Sequence, residues 1–157
     1  MFGELLMLIE SDHRDETVSL SVEGYDFKVP NNVYIIGMMN TADRGLALID
    51  YALRRRFAFY EMKPAFENIN FQSKLVGNER LVSLSNAIVE LNKRIADDPA
   101  LGRGFCIGHS YFCGNDISDK DADLILNYEL IPLLEEYWFD DPDKVMNEVT
   151  LLKAAIS

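Results

Sequence analysis

The chain has 157 residues, 48% of them apolar, with a mean hydropathy of −0.05. That supplies one sizeable core or two small ones, and no run reaches the roughly 18 apolar residues of a membrane span. Lys and Arg number 15 against 26 Asp and Glu, a net charge of −11 spread along the chain, which disfavours a broad phosphate-gripping face for nucleic acid.

The N-terminus lacks a basic region and a small-residue cleavage site, so no signal peptide is read and a cytoplasmic location is expected. Residues 1–12 pattern as an amphipathic helix with Leu5, Leu8 and Ile9 on one face, followed by a charged turn at Asp12–Glu16. Thr17–Val22 and Tyr25–Val29 alternate on either side of Gly24, which predicts a β-hairpin ended by Pro30. Val33–Met39 is apolar at every position, as in a strand covered on both faces in a parallel sheet. A polar cluster, Asn40–Arg44, interrupts it. Leu46, Ile49, Ala52 and Leu53 then return at helical spacing, ahead of Arg54–Arg56 and a second short strand, Phe57–Tyr60.

Beyond a hinge at Lys63-Pro64 everything reads helical, which divides the chain into an α/β part, 1–63, and an all-α part, 64–157. Leu81, Leu84, Ile88, Leu91 and Ile95 mark one helix face, ended near Asp98-Pro99. Leu101–Asn115 holds four of the nine glycines and reads as a structured loop. A long helix follows through Leu124, Tyr128, Ile131 and Leu134, with a kink expected at Pro132. Asp141 and Pro142 predict the N-cap and first residue of a last helix.

Asn40 and Asp43 stand at the C-terminal end of the apolar strand, where open α/β sheets place their ligands. The competing explanations are structural: an Asn capping the next helix, and an acid at the positive end of its dipole. Three adjacent arginines repel one another, so Arg54–Arg56 require either a nearby anion or a solvated basic face. Cys106 and Cys113 bracket His109, but three ligands leave a tetrahedral zinc site short. They read as two reduced thiols, and no metal site is expected.

The string MMNTADRGLALIDYALRRRF, Met38 to Phe57, resembles the segment after the Walker B motif in AAA+ proteins of the McrB type. These are the GTP-driven motor subunits of modification-dependent (5-methylcytosine) restriction systems. Phe2–Leu6 resembles the helix just downstream of Walker B, Gly104–Phe112 resembles a lid motif, and Leu133–Trp138 resembles the family's C-terminal helix.

The resemblance implies a fold that is α/β followed by all-α. Residues 1–63 would be the C-terminal part of the AAA+ nucleotide-binding subdomain with a β-hairpin insert, contributing the sensor-1 strand and the strand after it to a P-loop NTPase sheet. Residues 64–157 would be the helical lid. It also implies roles. Asn40 would hold the attacking water beside a γ-phosphate, and Asp43 would polarise that water or receive an arginine from a partner chain. Arg55 and Arg56 would reach the nucleotide of a neighbouring subunit as fingers. His109 and Ser110 would face the nucleotide from the lid, with a purely structural His109 as the other reading. A typical AAA+ lid supplies a sensor arginine, whereas this motif has none and Arg103 is the nearest.

For the intact family protein the resemblance implies GTP with Mg2+, a ring of like subunits, an McrC-type nuclease partner, indirect engagement of DNA, and no membrane. These 157 residues contain no G-x-x-x-x-G-K-[ST] and no apolar strand ending in paired acids. The chain alone is therefore expected to bind no nucleotide and to be inactive. A catalytically silent protein-interaction module, descended from the same fold, is the alternative.

Overall fold

A computed structural model describes residues 6–10, 12–19, 26–39, 54–114 and 117–157. The chain divides into two units, Met1–Glu61 and Met62–Ser157.

In the first unit residues 6–8 are helical and bury Leu8. The hairpin forms as two short antiparallel strands, β1 (Val18–Ser19) and β2 (Asp26–Phe27), with Val18 opposite Phe27 and Ser19 opposite Asp26. The Ser19 hydroxyl donates to the Asp26 carboxylate across the pair at 2.7 Å. Among the described residues this is the whole of the sheet.

The two apolar strands therefore require correction. Val33–Met39 and Phe57–Glu61 join no ladder, and Val33–Met39 is not buried. Tyr34, Ile36 and Met38 are 89, 90 and 97% exposed, while Val33, Ile35 and Met39 are only half so. The period-2 alternation of a strand is present. What is absent among the described residues is a neighbouring strand to take up its backbone groups and a layer to cover its outer face.

The second unit is helical and carries its own core. Asn68 caps α1 (Ile69–Leu75) by accepting the Asn70 N–H at 2.8 Å. The next helix, α2 (Glu79–Asp97), buries Leu81, Leu84, Ile88, Leu91 and Ile95, the face marked by its 3-4-3-4 apolar spacing. Its N-terminus is capped from a distance: the Asp119 carboxylate accepts the N–H groups of Arg80 (3.0 Å) and Leu81 (3.2 Å). Arg80 then grips Asp123 with both terminal nitrogens, at 2.8 and 2.9 Å, and donates through Nε to the Ile156 carbonyl at 2.9 Å. At the other end the chain reverses through Gly102, whose φ of +83° suits glycine and lets its N–H reach the Ile95 carbonyl at 3.2 Å.

The long C-terminal helix is interrupted as α3 (Asp121–Leu124), a widened π turn over Ile125–Leu130, and α4 (Ile131–Tyr137). Proline 132 explains it. A proline ring crowds the carbonyl four residues back and offers it no N–H, and that carbonyl, of Tyr128, lies in the widened turn. The expected kink thus takes the form of a bulge. The last helix, α5 (Pro142–Ala155), begins as its sequence predicts, with the Asp141 carboxylate accepting the Lys144 N–H at 3.1 Å. α5 packs on α2 and α4, and Phe66, Phe71, Phe112, Leu130, Leu134, Trp138 and Leu152 belong to one buried cluster.

Candidate functional site

Asn40 and Asp43 lie outside the described residues. Of the remaining candidates, Arg55 and Arg56 belong to the first unit, and His109 and Ser110 to the second.

Arg56 is half-buried and ion-paired with Glu10. Arg55 is exposed and lines, with Arg56, a cavity of about 590 Å³. The same cavity is walled by Glu10, Asp12, Arg14, Asn31 and Tyr34. Arg14 is spent on the backbone, donating to the carbonyls of Val33 (3.1 Å) and Pro30 (3.4 Å). Arg54 is set apart from the other two, with its guanidinium over the Phe59 ring at 5.8 Å. The three adjacent arginines thus separate into three environments, and Arg55 is the one presented at the surface of the cavity.

Glu10, Asp12 and His13 bring their ligand atoms within 4.8 Å of one another. Glu16, bonded to the His13 ring at 3.0 Å, raises that histidine's pKa.

The lid motif Gly104–Phe112 is held from two sides. From α2, the Asn92 side chain donates to the Ile107 carbonyl at 2.8 Å and accepts the Ile107 N–H at 2.6 Å. One amide side chain therefore satisfies both backbone groups of a buried residue. From the start of the unit, the Ala65 N–H donates to Nδ1 of His109 at 3.1 Å. The imidazole is half-buried, edge-on to Phe71 (centroids 5.4 Å) and Phe66 (6.2 Å). This is a structural setting: one ring nitrogen is occupied by the backbone and the ring is packed among phenylalanines. Ser110, next to it, is exposed.

Cys106 and Cys113 donate to different backbone carbonyls, of Asn92 (3.6 Å) and His109 (3.5 Å). Burial pushes the Cys106 thiol above its usual pKa, away from the thiolate a metal would need. Among the described residues these cysteines and His109 do not gather their ligand atoms.

Two arrangements escaped the sequence reading. Asn92 was available as a signal, because it sits beside Leu91 on the inward side of an amphipathic helix, where a polar side chain needs a partner. Asp98, read only as a helix end, is a buried acceptor. It takes hydrogen bonds from Trp138 Nε1 (2.8 Å), Lys144 Nζ (2.6 Å) and the Ala100 N–H (2.7 Å). Together, Lys144 foremost, they hold its pKa down to about 2. Lys144 also lies 4.8 Å above the Trp138 ring.

A nucleoside triphosphate with magnesium requires oriented backbone donors for its phosphates and carboxylates for its metal. Arg54 and Arg55 are both exposed, Arg55 in the wall of the cavity and Arg54 over Phe59, while Nδ1 of His109 is engaged by the Ala65 N–H.

Residues 83–146, from within α2 to the first turns of α5, match the family model described as McrB, α-helical lid domain. Over 159 aligned residues, 92% of this chain, the sequence is 45% identical to the Type IV methyl-directed restriction enzyme EcoKMcrB subunit of Escherichia coli (strain K12). The chain spans 35% of the length of that relative. No described helix is long and apolar enough to cross a membrane. The chain is therefore McrB-like over most of its length, and residues 83–146 match the family's α-helical lid domain.

Proposed function

We propose that this chain is the lid-bearing, C-terminal part of an McrB-like AAA+ GTPase whose intact form is a ring motor driving restriction of methylated DNA. The observation that carries the proposal is the 45% identity, sustained over 92% of the chain, to a methyl-directed restriction enzyme subunit. In this reading the first unit supplies the sensor-1 strand and the strand after it to a P-loop sheet. Asn40 and Asp43 stand at the end of the sensor strand, and Arg55, with Arg56 behind it, offers positive charge to the nucleotide of the next subunit. GTP and Mg2+ would be held chiefly by P-loop and Walker B residues that these 157 positions do not include. Ring assembly, an McrC-type nuclease partner and a cytoplasmic location belong to the same proposal.

The lid's share is positional. His109 fixes the first residues of the second unit against the lid motif through Nδ1, and Ser110 is the more exposed of the two lid residues. The chain by itself is inactive in this account. Calorimetry with GTP, GDP and ATP plus magnesium is expected to give no binding tighter than about millimolar, roughly −4 kcal/mol. When a P-loop and Walker B segment of the family is joined ahead of Met1, GTP hydrolysis is expected to appear and ATP hydrolysis to stay low. Micromolar GTP binding by the chain alone would overturn this account of what the 157 residues lack, and a fused protein that folds yet does not hydrolyse GTP faster than buffer would favour the second reading. That reading is a catalytically silent interaction module, and the exposed apolar side chains of Val33–Met39 favour it.

A further inference from the structure

We propose that the groove between α4 and α5 docks a basic amphipathic helix of another protein. The proposal rests on these two helices alone and holds whether or not the parent protein hydrolyses GTP. The groove has a volume of about 360 Å³, and its apolar wall includes Ile131, Trp138, Phe139, Val145, Met146 and Val149. Trp138 forms the floor, 3% exposed, while Phe139 and Met146 stand up at the rim, 82 and 64% exposed. Aromatic and methionine side chains grouped in this way are what protein interfaces enrich. A small-molecule site would need several converging polar groups, and among the described residues Glu135 and Lys153 are the only charged ones in the lining. Spacing along α5 at Pro142, Val145, Met146 and Val149 suits side chains entering from one face of a helix.

Charge selects the occupant. Between Lys120 and Lys144 the chain has eight acidic residues and no Lys or Arg. Glu135 lines the groove, and exposed Asp140, Asp141 and Asp143 surround the turn that closes one end of it. Lys144 does not offset them, because its ammonium is bonded to Asp98 at 2.6 Å, and Lys153, the cation in the lining, stands in the last turn of α5, away from that turn. A helix bearing Lys and Arg beside its apolar face is therefore attracted and oriented, with its basic end toward the α4–α5 turn. A second copy of this chain seated face to face would set these acids against themselves, which disfavours self-docking.

The test uses the full chain and a synthetic helical peptide with leucines at i, i+3, i+4 and i+7 and lysines flanking them. Its controls are the same composition with the leucines scattered, and the same peptide with glutamates for lysines. Trp138 is the chain's single tryptophan, so its emission reports occupancy of the groove floor, with calorimetry for affinity. The basic peptide is expected to bind and to shift Trp138 emission. Phe139→Ala with Met146→Ala, both at exposed positions that should leave the fold intact, should weaken it about tenfold or more. Glu135→Lys should weaken the basic peptide and strengthen the acidic one. Equal binding of the scattered-leucine peptide, or binding indifferent to Phe139→Ala/Met146→Ala, overturns the proposal. So does a self-associated chain that these two substitutions convert to monomer, because the groove would then be an interface between copies.

Discussion

Nδ1 of His109 accepts the backbone N–H of Ala65 at 3.1 Å, joining residues 44 positions apart. An acceptor nitrogen must keep its lone pair, so the ring proton sits on Nε2. Nitrogen-15 NMR of the imidazole is expected to show that tautomer. His109→Ala leaves a half-buried N–H without its partner and should lower stability by about 1–3 kcal/mol. His109→Asn, which returns an acceptor oxygen close to the place of Nδ1, should recover part of this. Equal losses for the two variants would mean that ring packing against Phe66 and Phe71 matters and the hydrogen bond does not.

Asp98 gives the lid its clearest pH dependence. Its pKa is depressed in the folded state, to about 2, so the unfolded chain binds the proton more readily. The stability it contributes is complete above the ordinary aspartate pKa and is lost as pH falls from about 4 through about 2. Asp98→Asn should destabilise the protein by roughly 1–3 kcal/mol at neutral pH. Its urea midpoint, followed by circular dichroism, should then converge on the wild-type value between pH 4 and 2. Parallel midpoint curves down to pH 2 would remove Asp98 from this role.

Arg94 and Glu148 tie α2 to α5 through two hydrogen bonds, of 2.8 and 2.5 Å, and Glu148 is buried. Removing only the arginine strands a carboxylate in the core. Arg94→Met should therefore cost about 3 kcal/mol or somewhat less, given the partial exposure of the arginine. The double change Arg94→Met/Glu148→Leu should be milder than Arg94→Met alone. A double variant worse than the single would show that the pair itself, and not the relief of a stranded charge, stabilises the helix packing.

The helical unit was legible where local rules decide: the apolar stripe of α2, the Asp141 cap and Pro142 start of α5, and the end of α2 at Asp98. The hairpin was legible too, from alternation around Gly24. Val33–Met39 was misread as buried because an apolar run records what a strand needs and says nothing of whether a neighbour is there to supply it. The clamp of Asn92 on Ile107 and the remote cap of α2 by Asp119 join residues 15 to 39 positions apart, and spacing alone does not reveal such pairings. For the candidate site, sequence pointed to three adjacent arginines without distinguishing them; the ion pair to Glu10 and the stacking on Phe59 do so.

Tyr34, Ile36 and Met38 present an exposed apolar face on a segment that joins no ladder, which invites association between chains. Light scattering is expected to find dimers or larger species. Ile36→Lys with Met38→Lys should shift them toward monomer without altering helix content. A wild-type chain that stays monomeric at high concentration would contradict this.

The most direct test of the inter-subunit account is a mixing measurement, made with the P-loop segment of the family joined ahead of this chain. Arg55→Ala is the cleaner variant, since Arg56 also holds Glu10 and its loss would disturb the first unit. Arg55→Ala should leave GTP binding nearly intact while hydrolysis falls by ~10³ or more. The same protein carrying an intact Arg55 and a disabled P-loop should be equally inactive. Mixed together, the two are predicted to regain hydrolysis, because one interface then has both a working phosphate cradle and an arginine. A mixture that assembles and stays inactive would contradict the account and leave Arg55 without a catalytic role.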